Sequence, residues 1–209
     1  MATKRVLQER TIKRVFDVSF ALLASTVAMP VSGLCLIVIK VVSPEAPALF
    51  RQERVGYRGE PFIMLKIRTM TDERDEDGNL LPDEERLKSW GRVIRKLSID
   101  ELPQIVHILK GQMSWIGPRP LLAEEMNVMT KEEQELRQSM LPGITGWEAV
   151  NEDKSDSRRR MAEFDLEYVR NWSLRLDAKI FFLTVAKLFR ADRSDEAHRA
   201  PKLNKQEYV

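Results

Sequence analysis

Apolar and polar positions follow four patterns along the chain, and each predicts a different element. Val18 to Ile39 carries no charge; at ~1.5 Å rise per residue it makes about 33 Å of helix, enough to cross a bilayer core. Ala48 to Met70 predicts two strands joined at a turn over Gly56–Pro61. In the second strand Ile63, Leu65 and Ile67 share one face and Lys66 and Arg68 the other, either a solvated strand face or an anion-binding one. Asp83 to Leu97 places Leu87, Trp90, Ile94 and Leu97 at helical spacing, the stripe of a helix packed on a core. Residues 158–176 and 177–190 are both amphipathic. The second combines Ile180, Phe181, Phe182, Leu183, Val185, Leu188 and Phe189 with Lys179, Lys187 and Arg190, a pattern that suits a membrane interface or an ordinary core helix. Thr71–Glu85 reads as an exposed acidic loop without calcium-loop spacing. From Ala191 the chain is a polar tail expected to fray.

The long apolar run has three readings. A cleaved signal peptide ending near Ala28 does not need the eleven apolar residues that follow. A spanning helix conflicts with its flanks: Lys4, Arg5, Arg10, Lys13 and Arg14 precede it and Lys40, Arg51, Arg54 and Arg58 follow, and basic residues favour the cytoplasmic side. Pro30 sits near the middle, where it removes a helical N–H and clashes with the carbonyl four residues back. Ser25 or Thr26 offers a hydroxyl to a freed carbonyl. A re-entrant hairpin of two half-helices meets both observations and is the expectation. Cys35, inside the run, reads as a small buried hydrophobe.

Composition narrows the class. The chain has 209 residues, 34 basic and 32 acidic, with a formal net charge of +2, one cysteine and two histidines. One long apolar run excludes a many-pass membrane protein, and the single cysteine excludes an internal disulfide framework or a multi-cysteine zinc site. Near-neutral charge gives no sign of a nucleic-acid binder. His107 lies alone in an apolar run and reads as structural.

The chemistry concentrates in Arg95–Gln104, ahead of an apolar run that Gly111 ends. Ser98 and Glu101 have capping-box spacing, with Asp100 a favourable charge at a helix start. Pro103 argues for a cap at or after Asp100, because proline is tolerated only in the first turn. Asp100 would then stand, ionised, at the positive end of a helix. Such a carboxylate is equipped to attack a phosphate or to hold Mg²⁺, and Glu101 to share the metal or move a proton. Gly117-Pro118-Arg119-Pro120 holds an arginine in a stiff loop, and Pro142–Trp147 is a second rigid turn that presents Trp147.

The order of these strings resembles one family. A Pro-broken apolar segment, Lys66-Ile67-Arg68-Thr69-Met70, Leu97–Gln104, Lys110–Pro120 and Pro142–Trp147 are similar to the bacterial sugar transferases, the monotopic polyprenyl-phosphate phosphoglycosyl transferases, from about Lys13 to Phe189. Thr69–Gln104 looks closest to the diacetylbacillosaminyl-1-phosphate transferase type. The resemblance implies an α+β fold: a re-entrant membrane helix broken at Pro30 (residues 1–44), a mostly helical catalytic domain with a small β-hairpin and interfacial helices (45–190), and a tail (191–209). It implies Asp100 and Glu101 as a catalytic, Mg²⁺-binding dyad, and Arg95 and Arg119 facing phosphates, with Lys66 and Arg68 as further phosphate ligands. It implies a UDP-sugar donor and a polyprenyl phosphate acceptor at the cytoplasmic face of the bacterial inner membrane. The phosphosugar passes through Asp100, UMP is released, and downstream glycosyltransferases use the product. A non-catalytic membrane-tethered scaffold is the rival from another class. Two departures stand out: Met29-Pro30 replaces a usual Ser-Pro, and Glu148–Lys154 replaces Ala-Gln-Val-Asn-Gly-Arg-Asn.

Overall fold

The computed structural model describes residues 2–151 and 157–191. The tail beyond Ala191 and Glu152–Lys154 of the altered segment lie outside the described residues, as do the side chains of Leu188, Phe189 and Arg190.

The apolar run belongs to one helix, α1 (Ala2–Val42), and Pro30 sits inside it without dividing it in two. Ser25 and Thr26 do bond backward, but to the carbonyls of Leu22 and Leu23. By length and composition α1 is able to cross a membrane. One stripe along it, Lys13, Asp17, Ala21, Ala28, Ser32 and Ile39, is buried against the rest of the protein. These positions recur every one or two helical turns, and the small residues in the middle allow close approach. The outer face leaves Leu23, Val27, Leu34, Ile37 and Val41 exposed, a run of large apolar side chains of the kind that marks a membrane or partner contact.

Both ends of α1 are fastened to the same body. Near its start, Lys13 Nζ donates to the Asp177 carboxylate (2.7 Å) and to the Ile116 carbonyl (2.9 Å). Tyr168 and Trp172 donate to the same carboxylate. At its end, Arg68 donates to the hydroxyl and carbonyl of Ser43.

The expected hairpin forms: β1 (Leu49–Val55) pairs antiparallel with β2 (Pro61–Ile67). Its burial departs from expectation in the first half of β2, whereas Ile67 is buried as expected. Phe62 and Met64 are buried and Ile63 is exposed, because the Phe62 face packs on Ala21, Ala28, Ile105 and Ile108. Lys66 shares that inward face by strand alternation and is carried toward the interior. The helix expected over Asp83–Leu97 is two pieces, α2 (Asp83–Arg86) and α3 (Ser89–Lys96), and Leu97 and Val93 are exposed.

Next come a 3₁₀ turn (Ile99–Gln104) and α4 (Ile105–Leu109), wedged between α1 and β2. Gly111, at φ 80°, ends this run as expected. The Gly117 and Pro142 turns are flanked by a second, parallel strand pair, β3 (Ser114–Ile116) with β4 (Gly143–Thr145). Its closeness needs glycine: a Cβ on Gly146 would lie 2.2 Å from the Gly117 carbonyl oxygen. Helices α5 (Lys131–Gln138), α6 (Trp147–Val150), α7 (Arg158–Arg170) and α8 (Leu174–Ala191) complete the α+β body. The break between the last two lies at Asn171–Ser173 rather than after residue 176.

Candidate active site

The dyad segment is shaped by Ser98. Its φ of 52° is left-handed, and its side chain makes no cap bond. A capping box needs an extended cap residue, so the Ser98–Glu101 box does not form. The helical turn begins at Ile99, before Asp100, and Pro103 is accommodated because the turn is 3₁₀. The expected cap at or after Asp100 is therefore one turn-start too late. Freed from capping, Glu101 reaches across to β2, where Lys66 Nζ lies 2.7 Å from its Oε1.

Asp100 and Glu101 both line a cleft of about 520 Å³ with Lys66, Arg68, Arg95 and Arg86. Burial, and then the charge of Glu101, push the Asp100 carboxyl above the usual aspartate range, against the pull of Lys66 and Arg95. Desolvation of the carboxyl thus opposes the stabilisation of its charge expected from the helix terminus.

The cations differ in their commitments. Arg95 Nε donates to Thr69 Oγ1 (2.8 Å) at the cleft wall. Arg68 is buried, engaged with Ser43 and 3.6 Å from Asp72, so it also secures the end of α1. Arg119 lies apart from Asp100 and Arg95, on an adjoining cavity of about 60 Å³ with Gln104, Glu148 and the Gly143–Gly146 backbone. Arg54, Lys66 and Glu101 border both cavities and join them.

The loop of Arg119 is stiffened by more than its prolines. Arg137 donates to the Arg119 carbonyl and, over 2.6 Å, to Asp165; both side chains are only 3% exposed. Arg54 Nη1 donates to the Pro120 carbonyl (3.2 Å). The Asp165 carboxyl is pushed up by burial against the opposing charge of Arg137.

Gln52 and Arg54 have no local sequence signal as site residues, and Glu148 stands out in the sequence only as the start of the altered segment. The signal for the first two is strand register: Phe50, Gln52 and Arg54 pair with Lys66, Met64 and Phe62, so they face the same way. His107 is structural as expected, accepting from the Leu65 N–H through Nε2 and lying 2.8 Å from Gln112 Oε1 through Nδ1. Trp147 packs against the cluster of Ile116, Met140, Tyr168 and Ile180, with Lys179 Nζ 4.9 Å from its ring centroid.

An apolar helix carrying a basic cleft around two adjacent carboxylates defines a membrane-associated domain equipped for anionic ligands. A family model described as bacterial sugar transferase matches residues 8–191, and the chain belongs to that family. It is 48% identical over 179 residues to an uncharacterized sugar transferase, EpsL, of Bacillus subtilis, covering 85% of this chain and 87% of that protein. A UDP-glucose:undecaprenyl-phosphate glucose-1-phosphate transferase of Caulobacter vibrioides is 38% identical over 192 residues, 87% of this chain and 71% of that one. A UDP-N-acetylgalactosamine-undecaprenyl-phosphate N-acetylgalactosaminephosphotransferase of Aeromonas hydrophila is 37% identical over 185 residues. That match covers 83% of this chain but only 43% of the Aeromonas protein.

Proposed function

We propose that this chain transfers a sugar phosphate from a UDP-sugar to polyprenyl phosphate, giving polyprenyl-diphosphate-sugar and UMP. The observation that carries this is the placement of Asp100 and Glu101 in one cleft with Lys66 and Arg95, in a chain whose characterised relatives are named for that transfer.

The transfer has two steps. An Asp100 carboxylate oxygen attacks the sugar-bearing phosphorus; the bond to the UMP oxygen breaks and UMP leaves with the electron pair. An oxygen of polyprenyl phosphate then attacks the same phosphorus, and the Asp100 carboxylate departs. Two steps suit one soluble and one lipid substrate that need not be bound together. Lys66, Arg95 and Arg119 offset phosphate charge. Mg²⁺ fits the donor set: two adjacent carboxylates at the cleft wall match a cation that keeps waters and takes phosphate oxygens. Among the described residues no group of three or more His, Cys, Asp or Glu forms a fuller metal cage. Asp100 and Glu101 would hold the ion, which when bound supplies charge neutralisation at the phosphates.

The membrane reading is monotopic: α1 bends at Pro30 without separating into two helices, so that it re-enters rather than crosses and both of its ends and the cleft lie on the cytoplasmic face of the inner membrane. The attachment of Lys13 and Ser43 to one body supports it, as do the basic flanks.

The test is UMP release from purified protein in detergent with Mg²⁺, polyprenyl phosphate and a panel including UDP-glucose and UDP-N-acetylhexosamines. Lipid-dependent UMP that disappears in Asp100→Asn is expected. No UMP from folded protein with any donor would favour the tethered scaffold instead.

A further inference from the structure

Resting on the transferase function just proposed, we infer that Arg54 is a further phosphate-binding residue, whose guanidinium takes a substrate phosphate oxygen between the two cavities. Arg54 is the only arginine that borders both of them among the described residues. Its side chain is 13% exposed. Nη2 donates to Gln52 Oε1 (2.6 Å), and Nη1 to Glu125 Oε2 (3.1 Å) and the Pro120 carbonyl (3.2 Å). The Nε–H is buried and has no partner. A guanidinium is a fork of five donors, and a buried donor left open is a place where an acceptor belongs.

The charges around it point to the same acceptor. Burial disfavours the protonated form of Arg54, Glu125 favours it, and Arg119 lies near enough for its charge to disfavour it further. Lys66 lines the same small cavity. Arg54, Lys66 and Arg119 bring three cations to a cavity of about 60 Å³ that Glu101 and Glu148 also line, Lys66 being paired with Glu101 and Arg54 with Glu125, and guanidinium pairs well with phosphate. The phosphate has two sources, the diphosphate of the nucleotide donor and the monophosphate of the lipid acceptor.

Arg54 also braces the Arg119 loop through Pro120, so its role in holding structure must be separated from its role in binding. The separate bond from the Val55 N–H to the Leu121 carbonyl (2.9 Å) still ties that loop when Arg54 is replaced. Full-length protein in detergent is compared as wild type, Arg54→Gln, Arg54→Lys and Glu125→Gln. Glu125→Gln weakens the brace but leaves the Nε–H in place. The readouts are KM for the donor, KM for a short-chain polyprenyl phosphate, UDP affinity by calorimetry, and the thermal midpoint.

Arg54→Gln is expected to raise one KM about tenfold, with Arg54→Lys recovering part of the loss and Glu125→Gln changing KM less than about threefold. A rise in donor KM with weaker UDP binding assigns the nucleotide phosphates; a rise in acceptor KM alone assigns the lipid phosphate. Both KM values and UDP affinity within about twofold of wild type in Arg54→Gln would overturn the inference, as would equal loss of kcat in Arg54→Gln and Glu125→Gln at unchanged KM. A wild type that binds UDP without turnover refutes the transferase function yet still tests Arg54 through UDP affinity; a wild type that neither turns over nor binds UDP overturns both.

Discussion

Lys66 and Glu101 hold each other across the cleft, Nζ to Oε1 at 2.7 Å, with 26% and 35% of their side chains exposed. The cation suited to substrate phosphate and one carboxylate of the dyad are therefore mutually engaged before any ligand arrives. Under the proposed function, an incoming phosphate would compete for Lys66 and so release Glu101. Partial exposure screens the pair, so its contribution to stability is small, about 1 kcal/mol at most.

Lys66→Ala is accordingly expected to shift the thermal midpoint by only a few degrees while lowering kcat/KM at least about tenfold. Paired melting and UMP-release assays check this. A large melting shift with unchanged kcat/KM would assign Lys66 to structure alone.

Activity should depend on pH through Asp100. Its carboxyl is raised by burial first and by Glu101 second. Attack needs the ionised form, so kcat/KM is expected to fall on acidification at higher pH than a free aspartate would dictate. Glu101→Gln removes one raising influence, so the limb of its residual activity should move to lower pH. The linkage to stability has the matching sign. A folded-state pKa above the unfolded value contributes stability below the unfolded pKa, and this is lost as pH rises through the folded one. Asp100→Asn should therefore melt no lower than wild type at neutral pH.

Arg137 and Asp165 form the most buried ion pair among the described residues, and Arg137 also donates to the Arg119 carbonyl. Asp165→Ala leaves a buried guanidinium without its counter-charge, at a cost of about 3–5 kcal/mol. Arg137→Met combined with Asp165→Leu should be less destabilised than Asp165→Ala, because no isolated charge remains. Urea unfolding of the three variants measures both effects.

Topology is open to direct labelling. Gln8 and Glu45, beyond either end of the uncharged run, are exposed. Single cysteines there, in a Cys35→Ser background, should react with an impermeant reagent from the same side of sealed vesicles. Labelling from opposite sides would establish a crossing helix.

Much of this site was legible in the residues because its cues are local. Pro103, Gly111 and the adjacent Asp100-Glu101 fix a short helical segment, and Gly56–Pro61 sets a hairpin between strands of ordinary pattern. What was not legible depends on partners far along the chain. Which face of β2 is buried follows from packing on Ala21 and Ala28 of α1, so Lys66 and Met64 turned inward rather than Ile63. The capping box over Ser98 and Glu101 was a sound local pattern, overridden by the left-handed Ser98 and by Lys66 as a competing partner for Glu101. The parallel pairing of β3 with β4 has no local signature, since three-residue strands carry too little alternation to be read. Arg54 carries no local signal, because its place beside the cleft is set by register with a neighbouring strand.

The central claim is that Asp100 carries the sugar phosphate between the two substrates, and the intact mass of the protein tests it most directly. Wild type is incubated with the accepted UDP-sugar and Mg²⁺ but no lipid, then quenched in acid. A mass gain equal to the sugar phosphate is expected, mapped to Asp100, matched by an equal amount of UMP, discharged by polyprenyl phosphate and missing from Asp100→Asn. Lipid-dependent turnover with no adduct under any quench, or an adduct that persists in Asp100→Asn, would contradict it.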